Sequence, residues 1–279
     1  MNAISSTLAR DFSSGAAMPS RRLWRAYWTE ARFETIRALR APAFSIPFLM
    51  LPIALYVLIG VFLVNAMSHG DARIAPTMFA NWSVFGVMGP GMFGFGMFVA
   101  LEREQGLLRL KRAMPMPPAA YLAAKMAMTV IFSGLVMLTL IAAAVRLAPM
   151  QLTAWQYLQI SLLELAGSLP FCAIGLFIGS LASGKAAPAF VNLAYIPMMH
   201  LGGLFYPLPK AAQVVEFFTP AFYLDKLSLR LLGAPSMDEL AFGGSAPSSH
   251  VSSAVCVAVL AGITLLFGML AARRLKRVG

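Results

Sequence analysis

Long apolar stretches separated by short polar ones set the pattern of this chain. Six of them reach the length of about 20 apolar residues that a helix needs to cross a bilayer. They are 43–64, 77–100, 119–146, 155–182, 186–206 and 249–272. Open backbone polar groups are not tolerated in hydrocarbon, so only helices and closed barrels span it, and runs of this length read as helices. The pattern predicts an all-α integral membrane protein with a six-span transmembrane domain over 43–272.

The polar stretches between the spans predict smaller elements. Residues 1–19 read as a flexible N-terminus. Residues 20–42 read as an amphipathic helix at the membrane interface. On a helical wheel Leu23, Trp24, Tyr27, Trp28, Ala31, Thr35, Ala38 and Leu39 share one arc, and most arginines fall outside it. Phe33, Glu34 and Ile36 break that pattern, and Pro42 and Pro47 are expected to turn the chain into the first span. Residues 208–232 are apolar but interrupted at Thr219-Pro220, which predicts a re-entrant or interfacial helical pair. "GGSAPSS", residues 243–249, reads as a linker, and 273–279 as a basic tail.

Composition agrees with the pattern. Of 279 residues 59% are hydrophobic and 12% charged, against about 25% charged in soluble domains. No cleavable signal is apparent, so the first span is expected to serve as an uncleaved insertion signal. The net charge of +11 could point to nucleic acid. Its placement argues otherwise. Seventeen of the 22 Lys and Arg, counting Lys125 near the start of span three, lie in the N-terminal segment, the connections after spans two and four, and the C-terminal tail. The other side holds Arg73, Arg146, Lys210, Lys226 and Arg230. A basic excess marks the cytoplasmic side, so both termini are expected there, in an inner-membrane protein that binds lipid and no nucleic acid.

Catalytic patterns are weak. "GSLASGKA", Gly179 to Ala186, has the glycines and lysine of a phosphate loop. It lacks the terminal hydroxyl that binds magnesium and follows an apolar span rather than a strand. His69, His200 and His250 share no helical turn with each other, and Cys172 and Cys256 lie inside spans. No catalytic residue, metal ligand or bound cofactor is expected, so the chain is not read as an enzyme. Glu164 stands about nine residues into span four, and an ionisable group there is costly enough to suggest a function, with a plain interhelical hydrogen bond as the rival. Gly86 and Pro90 belong to a Gly- and Pro-rich run in span two that suits close packing or a moving wall. Gly175 and Gly179 have the four-residue spacing of a close helix crossing.

The connection "LEREQGLLRLKRAMPMPP", residues 101–118, is charged and helix-forming apart from Gly106. Glu102 and Glu104 precede Arg109, Lys111 and Arg112, an order that complements the helix dipole, and three prolines close it. A helix over 101–114 is expected to dock into a groove on a soluble partner. This stretch, with "GLFIGSLASGKAAPAFVNLAYIPMMHLGGLFYPLPKAAQVVEFFTPAFYLDKL", resembles type-2 ABC exporter permeases over about residues 20 to 275. Asn192, Pro197, Gly203, Phe205, Pro207, Pro209 and Pro220 match the family's later pattern, while "HLGG" replaces a common Ser-Gly.

The resemblance implies a permease dimer with two cytoplasmic ATP-binding subunits, which carry the ATP and magnesium. It implies a coupling helix formed by Glu102, Arg103, Glu104, Gln105, Gly106, Leu107, Arg109, Leu110 and Arg112. Read from the residues themselves, the substrate pathway would include Glu164, Asn192, Gly86 and Pro90, and a mostly apolar interior with few fixed charges suggests a hydrophobic or amphipathic cargo. A gradient-driven secondary transporter is the alternative, and would favour inverted repeats and several intramembrane charges.

Overall fold

The computed structural model describes residues 20–63, 73–108, 110, 118–148, 150–209, 211–242 and 251–278, and these are mostly helical with no strand among them. Helix α1, Ser20–Leu39, comes first. Ala41 is extended (φ −92°, ψ 90°), as the residue before a proline prefers, and Pro42 opens α2, Pro42–Leu55. Pro47, expected at the turn, lies inside α2 with Pro52, and the helix passes into a π-helical stretch, Tyr56–Leu63. Then come α3, Ile74–Glu104, α4, Pro118–Leu147, α5, Ala154–Leu181, and α6, Ala187–Leu201. A 3₁₀ turn, Gln213–Phe218, leads to α7, Pro220–Leu232, α8, Met237–Phe242, and α9, Ser253–Val278.

Among the described residues five helices are long and apolar enough to cross a membrane: Pro42–Leu63, Ile74–Glu104, Ala120–Leu147, Ala154–Leu181 and Ser253–Leu275. The fifth apolar stretch, 186–206, differs from expectation. It is helical only as α6, because Gly202 ends the helix and Gly203 takes a left-handed φ of +70°. The 208–232 segment breaks at Thr219-Pro220, where the sequence placed an interruption. The basic residues Arg273 and Arg274 continue α9 instead of forming a separate tail.

Helix α3 is the centre of the bundle and is buried from Ala75 to Glu102 almost without interruption. Its most extensive partner is α5. Small residues make that contact. A Cβ on Gly175 would lie 2.4 Å from the Met92 carbonyl oxygen, and one on Gly179 2.6 Å from that of Gly96. Only glycine lets the two backbones come so close. Helix α5 starts on a capping box in which Thr153 and Gln156 satisfy each other's backbone amides.

Candidate functional site

The connection after α3 begins inside the helix itself. Residues 101–104 are its last turn, Gln105 caps it, and Gly106 breaks it with φ +72°, after which Leu107, Leu108 and Leu110 turn again. The expected separate helix over 101–114 is therefore split at Gly106, because a residue with positive φ cannot continue a right-handed helix. Arg109, Arg112 and residues 111–114 lie outside the described residues.

The charged residues of α3's last turn are bound within the chain. Glu102 is fully buried. Its Oε1 meets Lys125 Nζ of α4 at 2.8 Å and Arg37 Nη1 of α1 at 2.5 Å, and its Oε2 accepts from the Tyr121 hydroxyl at 2.6 Å. Lys125, also fully buried, donates to Glu34 of α1 at 2.6 Å, and Arg37 lies 3.7 Å from Glu34. Two cations thus face two carboxylates, and α1, α3 and α4 are joined by one buried network. Burial pulls the Arg37 guanidinium down, yet Glu102 and Glu34 beside it carry it above its ordinary value. Glu34 had broken the apolar face of α1. It lies on the buried side because Lys125 receives it there.

Arg103 and Glu104 reach the connection between α5 and α6. Arg103 donates to the carbonyls of Ser180 and Ala182, and Glu104 Oε2 accepts from the Gly184 amide at 2.6 Å. The "GSLASGKA" stretch is thus the end of α5 and a tight turn held by α3. Among the described residues of the connection, Leu101, Glu104, Gln105 and Leu110 are exposed, Leu110 by 59%, with Leu107 half-buried.

The residues expected to line a pathway fall into separate places. Gly86 and Asn192 share one apolar cavity of about 340 Å³ between α2, α3 and α6, with Phe48, Phe85, Phe93 and Tyr195 in its wall. Asn192 is exposed on α6 beside Phe190, Leu193 and Ile196, also exposed. Pro90 is buried in α3 and does not line the cavity. Glu164 is fully buried on another side of α3. Its Oε1 accepts from Ser83 of α3 at 3.0 Å and Ser228 of α7 at 2.7 Å, so it ties three helices together.

A second polar group lies between α7, α8 and the 3₁₀ turn, and the sequence reading missed it. Glu216, Asp225 and Asp238 are buried there with Lys226, whose Nζ is 3.9 Å from Glu239. Burial, with Asp238 beside it, pushes the Glu216 carboxyl up to about 8. Burial also pushes Asp225 up to about 8, against the pull of Lys226. The only sequence signal was that Glu216, Asp225 and Lys226 interrupt a segment otherwise read as apolar.

A family model described as "ABC-2 type transporter" matches residues 25–225. A Bacillus subtilis (strain 168) protein described as "Putative transport permease YvfS" is 26% identical over 211 residues, covering 73% of this chain and 84% of that protein.

Proposed function

This chain belongs to the ABC-2 type transporter family, and from that premise we propose that it is the membrane permease subunit of an ATP-driven exporter. The family makes it a multi-pass membrane permease of an ABC transporter, partnered by an ATP-binding subunit. Two copies pair in the inner membrane with both termini cytoplasmic, and two ATP-binding subunits sit beneath them. ATP and magnesium bind on those subunits, and this chain needs no cofactor of its own. The cargo is hydrophobic or amphipathic, in keeping with an apolar cavity whose open side carries one amide, Asn192. Two copies meeting along α6 would enclose that side.

The observation that carries the reading is the family match, which takes in the whole 101–114 connection. The geometry supports a coupling role of a particular kind. Glu102, Arg103 and Glu104 hold the connection rigidly to α1, α4 and the α5–α6 turn, while Gln105, Leu107 and Leu110 stay accessible. A partner pushing on Gly106–Leu110 would therefore move four elements together.

The test is co-purification with ATP-binding subunits from the same genome, comparing wild type with Leu110→Asp and Gln105→Lys. A two-plus-two complex with stimulated ATP hydrolysis, weakened by both substitutions, is expected. A folded permease that binds no such subunit would remove the ATP-driven reading. Undiminished binding by both variants would move the docking surface elsewhere.

A further inference from the structure

Helix α1 presents two indoles outward. Trp24 is 72% and Trp28 65% exposed, although α1 packs along α4, a candidate membrane span. Between the helices runs a groove of about 390 Å³, walled by Trp24, Tyr27 and Trp28 on one side and Ala123, Ala127 and Ile131 on the other. The small side chains of Ala123 and Ala127 leave the space. From Ala123 to Ile131 the groove follows α4 for about 12 Å at 1.5 Å per residue.

The indoles cannot turn inward. Glu34 and Arg37 lock the rotation of α1 through Lys125 and Glu102, so the Trp stripe is held on the open side. Arg32 joins the groove wall, and Arg21, Arg25 and Arg32 are all exposed. With 3.6 residues per turn these three arginines fall within about 40° of one another, directly beside the Trp stripe. An apolar slot open at the protein surface, edged by aromatics and a row of guanidiniums, matches an acyl chain joined to a phosphate, which arginine binds in bidentate fashion.

We propose that the α1–α4 groove is a binding site for an anionic phospholipid, with one acyl chain against Trp24, Trp28 and the α4 alanines, its phosphate held between Arg25 and Arg32, about 10 Å apart along the helix at 1.5 Å per residue, and Arg21 extending the cationic row beyond them. The site belongs to this chain alone and is independent of any ATP-binding partner.

Tryptophan quenching tests it. The full-length chain, carrying Trp155→Phe to remove an exposed indole, is placed in phosphatidylcholine nanodiscs. A minor fraction of the lipid is brominated phosphatidylglycerol or, in the parallel arm, brominated phosphatidylcholine. Trp82 is buried and stays silent. Quenching by the anionic lipid should exceed that by the zwitterionic one roughly twofold or more, and the excess should shrink in high salt. Replacing Arg21, Arg25 and Arg32 by Gln should abolish the excess, whereas Arg273→Gln with Arg274→Gln should leave it. If the triple variant does not purify, Arg32→Gln alone must lower it. Equal quenching by the two lipids, or an excess that survives the arginine substitutions, overturns the proposal. So does the absence of quenching by either lipid, which would mean that cargo or protein covers the groove.

Discussion

Single residues in this permease carry more of the architecture than their charges suggest. Lys125 has no exposure and answers both Glu34 and Glu102. Its replacement by Met would strand two buried carboxylates beside a half-exposed arginine, and removing one partner of a buried ion pair costs about 3–5 kcal/mol. Lys125→Met should therefore lower the thermal unfolding temperature in detergent sharply. Adding Glu34→Gln and Glu102→Gln to the same chain should restore much of the loss, and a restoration that fails would show the cost to be one of packing. Glu164 leads to the opposite expectation. Its one bonded oxygen, Oε1, serves Ser83 and Ser228, and Gln offers the same acceptor. Glu164→Gln should leave both folding and transport near wild type. Complete loss of transport with normal folding would return Glu164 to the pathway. The sequence flagged Glu34 as an irregularity, Lys125 as a topology marker and Glu102 as a docking residue. Each was legible alone. Their meeting was not, because 68 residues separate Glu34 from Glu102 and only the tertiary packing of α1 on α4 brings them together.

Between elements, the decisive contacts are the close helix crossings and the carboxylates around α7. The spacing of Gly175 and Gly179 was readable as a crossing, though the partner helix was not. Its place on α3 follows from Gly96 and the Met92 carbonyl. Gly175→Ala would drive a methyl into that carbonyl and should destabilise by about 1–3 kcal/mol, as overpacking does. Gly262→Ala, with nothing within 4 Å, should be neutral or stabilising, since alanine is the better helix former. Thermal unfolding of the two variants side by side checks the contrast. Around α7 the expectation is one of pH. Glu216 and Asp225 rise from ordinary values of 4.5 and 3.8 to about 8 in the fold, with Asp238, Lys226 and Glu239 around them. The folded state then holds more protons than the unfolded one between about pH 4 and 8, so stability should fall as pH rises through that window. Glu216→Gln with Asp225→Asn should flatten the profile and raise stability at pH 8. An unchanged slope would place the titration elsewhere. The hydropathy pattern registered the interruption at Thr219-Pro220 but averaged away Glu216 and Asp225, whose neighbours are mostly apolar.

At the scale of the whole molecule, the number of membrane crossings turns on 186–206. Helix α6 has 15 residues, so its length is about 22 Å against a hydrocarbon core of about 30 Å. Hydropathy alone could not reveal the shortfall, since Gly202 and Gly203 are apolar by composition and break the helix by conformation. The gap is closable. Residues 202–206 continue along α3 in irregular form, and a few residues of extended chain cover the missing distance at about 3.3 Å each. Irregular backbone is tolerated at that depth only where protein covers it and its polar groups are met. Here Asn81 donates to the Leu204 carbonyl, and Phe205 packs on Trp82 at 4.6 Å and on Phe85 at 5.9 Å. On that reading the α5–α6 turn and the segment before the 3₁₀ turn lie on opposite sides of the membrane. Single cysteines at Lys185 and Ala211, with Cys172 and Cys256 buried, can be probed with a membrane-impermeant maleimide in right-side-out and inside-out vesicles. Opposite labelling makes α6 and its irregular extension a full crossing and puts both termini on one side. Labelling of both sites from the same side would make the segment re-entrant, leave five crossings, and separate the termini. In that case α9 would run the other way through the bilayer, and Arg273 and Arg274 would stand on the face away from the connection after α3, against the positive-inside bias.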